Sequence, residues 1–279
     1  MLVTTVEDVR VQLARTRGKG RAVALVPTMG ALHDGHLSLI RSAAADGSLV
    51  VVSVFVNPTQ FNDAKDLELY PRDPDTDARL AESAGADVVF MPEAEEVYPE
   101  GFATSIHVGS ISERWEGASR GASHFDGVAL VVTKLLTMVG PDTAWFGQKD
   151  AQQIAVVRRV AADLNLPVSI RAGATVREDA GLALSSRNTR LRPEDRAAAL
   201  ALSASLHAAA DAVAAGERDA AILAETALAT LTEAGARPEY WAVVDPETFA
   251  PLDTVVPGAL AIVAAFAGDV RLIDNLRLA

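Results

Sequence analysis

Two imidazoles three residues apart, His33 and His36, lie in the stretch Val-Pro-Thr-Met-Gly-Ala-Leu-His-Asp-Gly-His at residues 26–36. Side chains of this kind can donate hydrogen bonds to phosphate oxygens, carry positive charge or pass a proton. The stretch follows a short apolar run at residues 22–26 that reads as a buried strand, and precedes residues 37–45, which read as a helix. At a turn from strand to helix, unpaired backbone N–H groups and the helix dipole favour an anion. The same two histidines would equally serve to cap the helix or pack at the surface. As a zinc pair they lack the His-Glu-x-x-His form and a third ligand.

Three further clusters have the residue types for the same chemistry. Asn57-Pro58-Thr59-Gln60-Phe61 ends a β-branched run at residues 49–56, and the Gln60 amide suits a polar substrate; the plain alternative is a turn. Gly147-Gln148-Lys149-Asp150 follows another strand-like run and opens a helix, with Gln153 close behind. Glycine lets backbone approach a ligand, and lysine reaches phosphate as a point charge. The alternative makes Asp150 a helix cap and leaves Lys149 solvated. Ser185-Ser186-Arg187-Asn188 offers two hydroxyls and a guanidinium to a phosphate chain, or is a polar linker. Residues 117–121, Gly-Ala-Ser-Arg-Gly, match a nucleophile elbow by letter, but no buried strand precedes them and no immediate helix is expected after them. There is no P-loop and no Gly-x-Gly-x-x-Gly turn, so a nucleotide would have to be bound in another way.

The elements that must position these residues follow from the hydrophobic pattern. Residues 3–17 read as an amphipathic helix with Val6, Val9, Leu13 and Ala14 on one face. Strands are expected at 22–26, 49–56, 87–91, 143–146 and 168–176, with helices at 37–45, 75–85, 127–139 and 151–164. That alternation argues for a parallel α/β sheet, in which ligands sit beyond the carboxyl ends of strands. After Arg187 two Ala-rich helices, 193–215 and 219–234, precede strand-like runs at 240–244, 260–266 and 270–276, a smaller α+β domain. The boundary is expected between residues 175 and 192; we place the domains at 1–180 and 181–279.

The chain has 279 residues, no cysteine and a net charge of −12, from 37 acidic against 25 basic residues. The missing cysteines exclude disulfides, thiolate nucleophiles and cysteine-ligated metal. The acidic balance disfavours nucleic acid and anionic membrane, so an anionic substrate needs a local basic pocket. No continuous apolar run approaches the ~20 residues of a membrane span, and residues 1–10, with Glu7 and Asp8, lack a signal pattern. A cytoplasmic protein is expected.

Together, residues 27–36, 55–61 (Phe-Val-Asn-Pro-Thr-Gln-Phe), 70–72 (Tyr-Pro-Arg), 124–128 (His-Phe-Asp-Gly-Val), 146–150 with Gln152 and Gln153, and 184–188 (Leu-Ser-Ser-Arg-Asn) resemble the pantothenate synthetase family. These are ATP-dependent ligases that join (R)-pantoate to β-alanine. The His-x-Gly-His turn alone is similar to the wider nucleotidyltransferase superfamily. The resemblance spans about residues 22–192 and implies a Rossmann-like domain with a smaller C-terminal lid, in a cytoplasmic homodimer. It implies that Met29, Gly30, Ala31, Leu32, His33, Asp34, Gly35 and His36 line the ATP site. Gly147, Gln148, Lys149, Asp150, Val176, Leu184, Ser185, Ser186 and Arg187 would complete it. Gln60 would contact pantoate and β-alanine, and Gln153 pantoate. His36 would be the proton donor, with His33, Lys149 and Arg187 acting beside it on Mg-ATP. Family members often carry Glu at 148, Met at 184 and Arg at 121, where this chain has Gln148, Leu184 and Gly121; His124 then reads as structural. The rival readings are a nucleotidyltransferase that stops at adenylylation and a regulatory module with a decayed site.

Overall fold

The structure, a computed structural model, describes residues 1–17, 20–61, 67–68, 70–121 and 123–278. The chain forms two compact units: Met1–Gly147 with Val156–Gly173, and Gln148–Ala155 with Ala174–Ala279.

In the first unit, strands β1 (Leu2–Val3), β2 (Val23–Thr28), β3 (Leu49–Val54), β4 (Val88–Phe90), β5 (Thr143–Gly147) and β6 (Ser169–Gly173) form one sheet in the order β1-β4-β3-β2-β5-β6. Every pairing is parallel. Between the strands run α1 (Val6–Arg17), α2 (Asp34–Ala45), α3 (Pro74–Ser83), α4 (Ala94–Val97), α5 (Glu116–Arg120) and α6 (Ser123–Val139). This is the Rossmann-like arrangement that alternating strand and helix patterns imply. Residues 49–52 of β3 are buried throughout, because helices cover both sides of a parallel sheet. Ala24, Val26, Val50 and Val52 pack on Leu37, Ile40 and Ala43 of α2 and Ala81 of α3. Helix α6 lies against α1 and β2.

Several boundaries differ from the sequence pattern, those of β1 and β2 among them. β1 is only two residues long, paired Leu2 with Val89 and Val3 with Phe90, too short to leave a periodicity. β2 continues past its apolar run through Pro27 to Thr28, whose hydroxyl donates to the Ser53 carbonyl at 2.8 Å. Order reverses at β2, flanked by β3 on one side and β5 on the other. The carboxyl ends of β2 and β5 are the ligand-binding rim of such a sheet.

Helix α7 (Ala151–Asp163) follows the Gln148–Asp150 turn. The second unit is built on α8 (Arg196–Ala214), α9 (Ala220–Glu233) and an antiparallel sheet, β7 (Arg237–Val244), β8 (Leu260–Ala267) and β9 (Val270–Arg277). Leu202, Leu206, Leu223, Leu231, Trp241 and Val263 form its core. Residues Pro193–Ala214 are long and apolar enough to cross a membrane by length and composition, unlike the continuous runs considered above. Half of that window is buried, and α8 packs along β8 and β9, so core packing accounts for its Ala-rich composition.

Candidate active site

The turn after β2 is built by backbone torsion and one carboxylate. Gly30 and Ala31 have φ of 84° and 51°, the left-handed region. A Cβ on Gly30 would lie 2.8 Å from Asp77 Oδ2 and 3.2 Å from Val54, so glycine is required there for space as well as torsion. Asp77, on α3 and 3% exposed, accepts from the Ala31 and Leu32 amides at 3.0 and 2.8 Å. These two amides are thus spent inside the protein. Asp77→Ala should leave both unpaired and destabilise the fold by about 2–4 kcal/mol, read as the midpoint shift of urea unfolding; an unchanged midpoint would remove Asp77 as the anchor.

His33 is the N-cap of α2 and does cap the helix. Its Nδ1 accepts from the Gly35 amide at 3.1 Å, and His36 Nδ1 accepts from the His33 amide at 3.3 Å. The rings lie 4.1 Å apart, tilted by 36°. Since both Nδ1 atoms act as acceptors, these hydrogen bonds assign the proton of each neutral ring to Nε2. Capping and chemistry therefore coexist: the helix start holds the ring orientation, and each ring carries its N–H on Nε2, a group of the kind that binds phosphate oxygens. Asp34 between them is exposed.

Gln60 ends the Pro58–Gln60 turn after β3, capped by Asn57. Asn57 is 1% exposed. It donates to Gln60 Oε1 (3.2 Å) and the Gly127 carbonyl (3.1 Å), and accepts from the Tyr98 hydroxyl (2.8 Å) and Thr59. Burial raises the Tyr98 pKa above its ordinary value, against the opposing Thr59 hydrogen bond, so the phenol stays a donor. Gln60 Nε2 points at Met29 Sδ, 2.7 Å away, which brings two expected ligand residues together. His124 Nδ1 is 3.0 Å from the Gln60 carbonyl oxygen, a positioning contact. A Cβ on Gly127 would lie 2.4 Å from the Thr59 carbonyl oxygen and 2.8 Å from the Gln60 nitrogen. Glycine at 127 is what lets α6 approach the turn. Sequence reading took Asn57 as turn punctuation and gave Tyr98 and Asp77 no role.

The other expected residues belong to the second unit, except Gly147, which ends β5 in the first. Gln148, Lys149 and Gln153 are half-buried and Asp150 exposed; Gln148–Asp150 form a 3-10 turn leading straight into α7, so Asp150 is not a simple cap. Val176 and Leu184 face each other through the Leu184 amide and the Val176 carbonyl, at 2.9 Å. Ser185 caps the Ser186–Arg190 turn, its Oγ accepting from the Arg187 amide at 3.3 Å. Asn188 ties that turn to the Ala183 carbonyl and to Glu178. Ser185, Ser186 and Arg187 are thereby held half-buried on one turn.

Residues 117–120 lie in α5 and Gly121 follows its end, with Ser119 exposed. A helix, α6, does follow at Ser123, contrary to expectation, but a 3-10 turn at Ser110–Ser112 stands where an elbow needs a strand. Arg120 pairs with Glu116 at 2.9 Å. Among the described residues, no three or more His, Asp or Glu side chains group to hold a metal ion.

A family model described as pantoate-beta-alanine ligase matches residues 1–277. The pantothenate synthetase of Rhizorhabdus wittichii is 50% identical over 276 residues, covering 99% of this chain and 97% of that protein. That of Moorella thermoacetica is 46% identical over 278 residues, covering 99% and 98%. Among solved structures, pantothenate synthetase from Thermus thermophilus superposes with a TM-score of 0.89 at 46% identity, covering 99% of this chain and 98% of that one. A Francisella tularensis pantoate-beta-alanine ligase, complexed with beta-gamma ATP and beta-alanine, gives 0.81 at 31% identity, covering 99% and 97%.

Proposed function

Because the chain belongs to the pantoate-beta-alanine ligase family, we propose that it joins (R)-pantoate to β-alanine through a pantoyl adenylate, by the following division of labour. A carboxylate is a poor acylating agent, so it must first gain a leaving group. A pantoate carboxylate oxygen attacks the α-phosphorus of ATP; the bond to the bridging oxygen of the β-phosphate breaks, and pyrophosphate leaves with the electron pair. The β-alanine amine then attacks the acyl carbon, AMP departs, and the nitrogen loses a proton to give pantothenate.

In the first unit, His33 and His36 donate Nε2–H bonds to phosphate oxygens; as a neutral ring, His36 stabilises the charge growing on the leaving group through that hydrogen bond rather than by giving up its proton. The amide of Gln60, oriented by Asn57 and carried beside Met29, binds pantoate and then β-alanine. In the second unit, Lys149, Arg187 and the hydroxyls of Ser185 and Ser186 supply positive charge and donors to the polyphosphate, and Gln153 contacts pantoate. The backbones of Gly30–Leu32, Gly147, Gln148, Asp150, Val176 and Leu184 shape the ATP-binding surfaces. These residues act by positioning and electrostatics, without a covalent intermediate on the protein. Mg²⁺ comes as part of Mg-ATP, since this ion is typically held by substrate phosphates rather than an all-protein cage. The family resemblance also supports a cytoplasmic homodimer.

What carries this reading is the reciprocal histidine cap, which orients two Nε2–H donors at the carboxyl end of β2. The decisive experiment is pantoate-dependent exchange of labelled pyrophosphate into ATP without β-alanine, followed by AMP and pantothenate release when β-alanine is added. Exchange with no product on adding the amine would leave an adenylyltransferase; ATP binding with no exchange would leave a nucleotide-binding module. Gly127→Ala tests the acid pocket. The added methyl must push the Pro58–Gln60 turn away, and a displacement of this size costs ~10²-fold in rate. The loss should appear in kcat/KM for pantoate with ATP binding retained; wild-type kinetics would show that Gln60 tolerates the shift.

A further inference from the structure

Strand β9 carries two adjacent buried polar residues, Asp274 and Asn275, 4% and 5% exposed. Neighbours on a strand point to opposite faces, so two different surroundings must satisfy them. Asp274 lies on the face of Val270 and Leu272, towards the core. It takes a two-pronged ion pair from Arg177, at 2.6 and 3.0 Å, and Arg177 also donates to the Gly181 carbonyl at 3.1 Å. A paired, hydrogen-bonded carboxylate of this sort fixes the strand's register where an unpaired one would be expelled. Asn275 lies on the other face, whose neighbours Ile273 and Arg277 are half-buried and exposed.

Asn275 is buried there because the Gln148–Asp150 turn covers it. Its Nδ2 donates to two consecutive backbone carbonyls, Gln148 at 3.0 Å and Lys149 at 2.9 Å, and its Oδ1 faces the Gln148 side chain at 3.5 Å. One amide thus uses both its N–H bonds to set the backbone from which the Lys149 side chain projects. Cutting those bonds would orphan two carbonyls and free the lysine's stem, while removing nothing that touches a phosphate.

We propose that Asn275 is a positioning residue for Lys149: it fixes the ammonium for pyrophosphate departure and acts in adenylate formation only. The proposal rests on the reading of Lys149 given under Proposed function. It predicts a split between half-reactions that general loss of structure would not produce. Asn275→Ala should slow pantoate-dependent ATP–pyrophosphate exchange ~10–100-fold, the range seen when groups that orient an active-site residue are removed. The reaction of supplied pantoyl adenylate with β-alanine, which releases AMP rather than pyrophosphate, should keep its wild-type rate. Asn275→Ser, which retains one donor, should fall between, and serves if the alanine variant does not fold. In a Lys149→Ala background, Asn275→Ala should cause no further loss, because the two act through one group.

Wild-type exchange by a folded Asn275→Ala variant, equal losses in both half-reactions, or additive losses in the double variant would each overturn the proposal while leaving the ligase reading intact. Failure of the wild-type protein to exchange pyrophosphate would instead overturn the ligase reading itself, and the proposal with it.

Discussion

Lys149→Ala is expected to slow pantoate-dependent ATP–pyrophosphate exchange by ~10²–10³-fold, the usual consequence of removing a group aimed at developing charge. The physical reason is where charge appears. As the bond to the β-phosphate breaks, negative charge passes to pyrophosphate, and an ammonium about 4 Å away contributes roughly 4 kcal/mol at an effective dielectric of 20. Only the part that strengthens in the transition state accelerates the step. The fall should therefore appear in the exchange rate, with a smaller change in ATP affinity. Because the backbone of Gln148 and Lys149 is held by Asn275, the variant should unfold at close to the wild-type temperature. Lys149→Arg should recover little, since a planar fork on a longer stem does not replace a compact charge. Exchange within a few-fold of wild type would take Lys149 out of the mechanism.

His36→Ala should cost a similar ~10²–10³-fold in exchange, together with about 1 kcal/mol of stability from loss of a helix cap. The two effects can be separated. Glutamine at the third position of a helix reaches back to the cap residue's amide, so His36→Gln should restore the hydrogen bond to the His33 amide. It leaves no imidazole Nε2–H to stabilise the leaving group. Recovery of the unfolding midpoint without recovery of exchange would separate the two roles. If both recover together, the ring acts only through the cap.

The parts of the fold that could be read in advance are those in which neighbours in sequence carry the signal. β3 was visible in its β-branched run, and α6 in the spacing of its apolar residues. The strand–turn–helix around His33 and His36 was visible because an apolar run, a glycine and a helical pattern stand in succession. What escaped depends on partners far away in the chain. Asp77 looks like any polar residue of an exposed helix until the Ala31 and Leu32 amides are placed against it. Asn57 reads as a proline's neighbour, yet its amide joins Gln60, Gly127 and Tyr98. Gly127 sits inside a helix, where glycine is unfavourable. With the helix expected to begin at 127, that oddity emerges only once the structure starts it at Ser123. Asn275 gave no hint, since a polar residue on an alternating strand suggests solvent.

The order of strands also governs assembly on a growing chain. In the first unit every neighbouring pair is parallel and needs a crossover; β2 meets its second neighbour through Ala24 with Thr143 and Leu25 with Ala144, far along the chain. In the second unit β8 and β9 are antiparallel, and Ala267 already pairs with Val270. Local pairings form fast and distant ones slowly. During synthesis, the strand leading into the histidine turn thus waits with one edge open until β5 emerges, exposed for that interval to the mispairing and capture that unpaired strands invite.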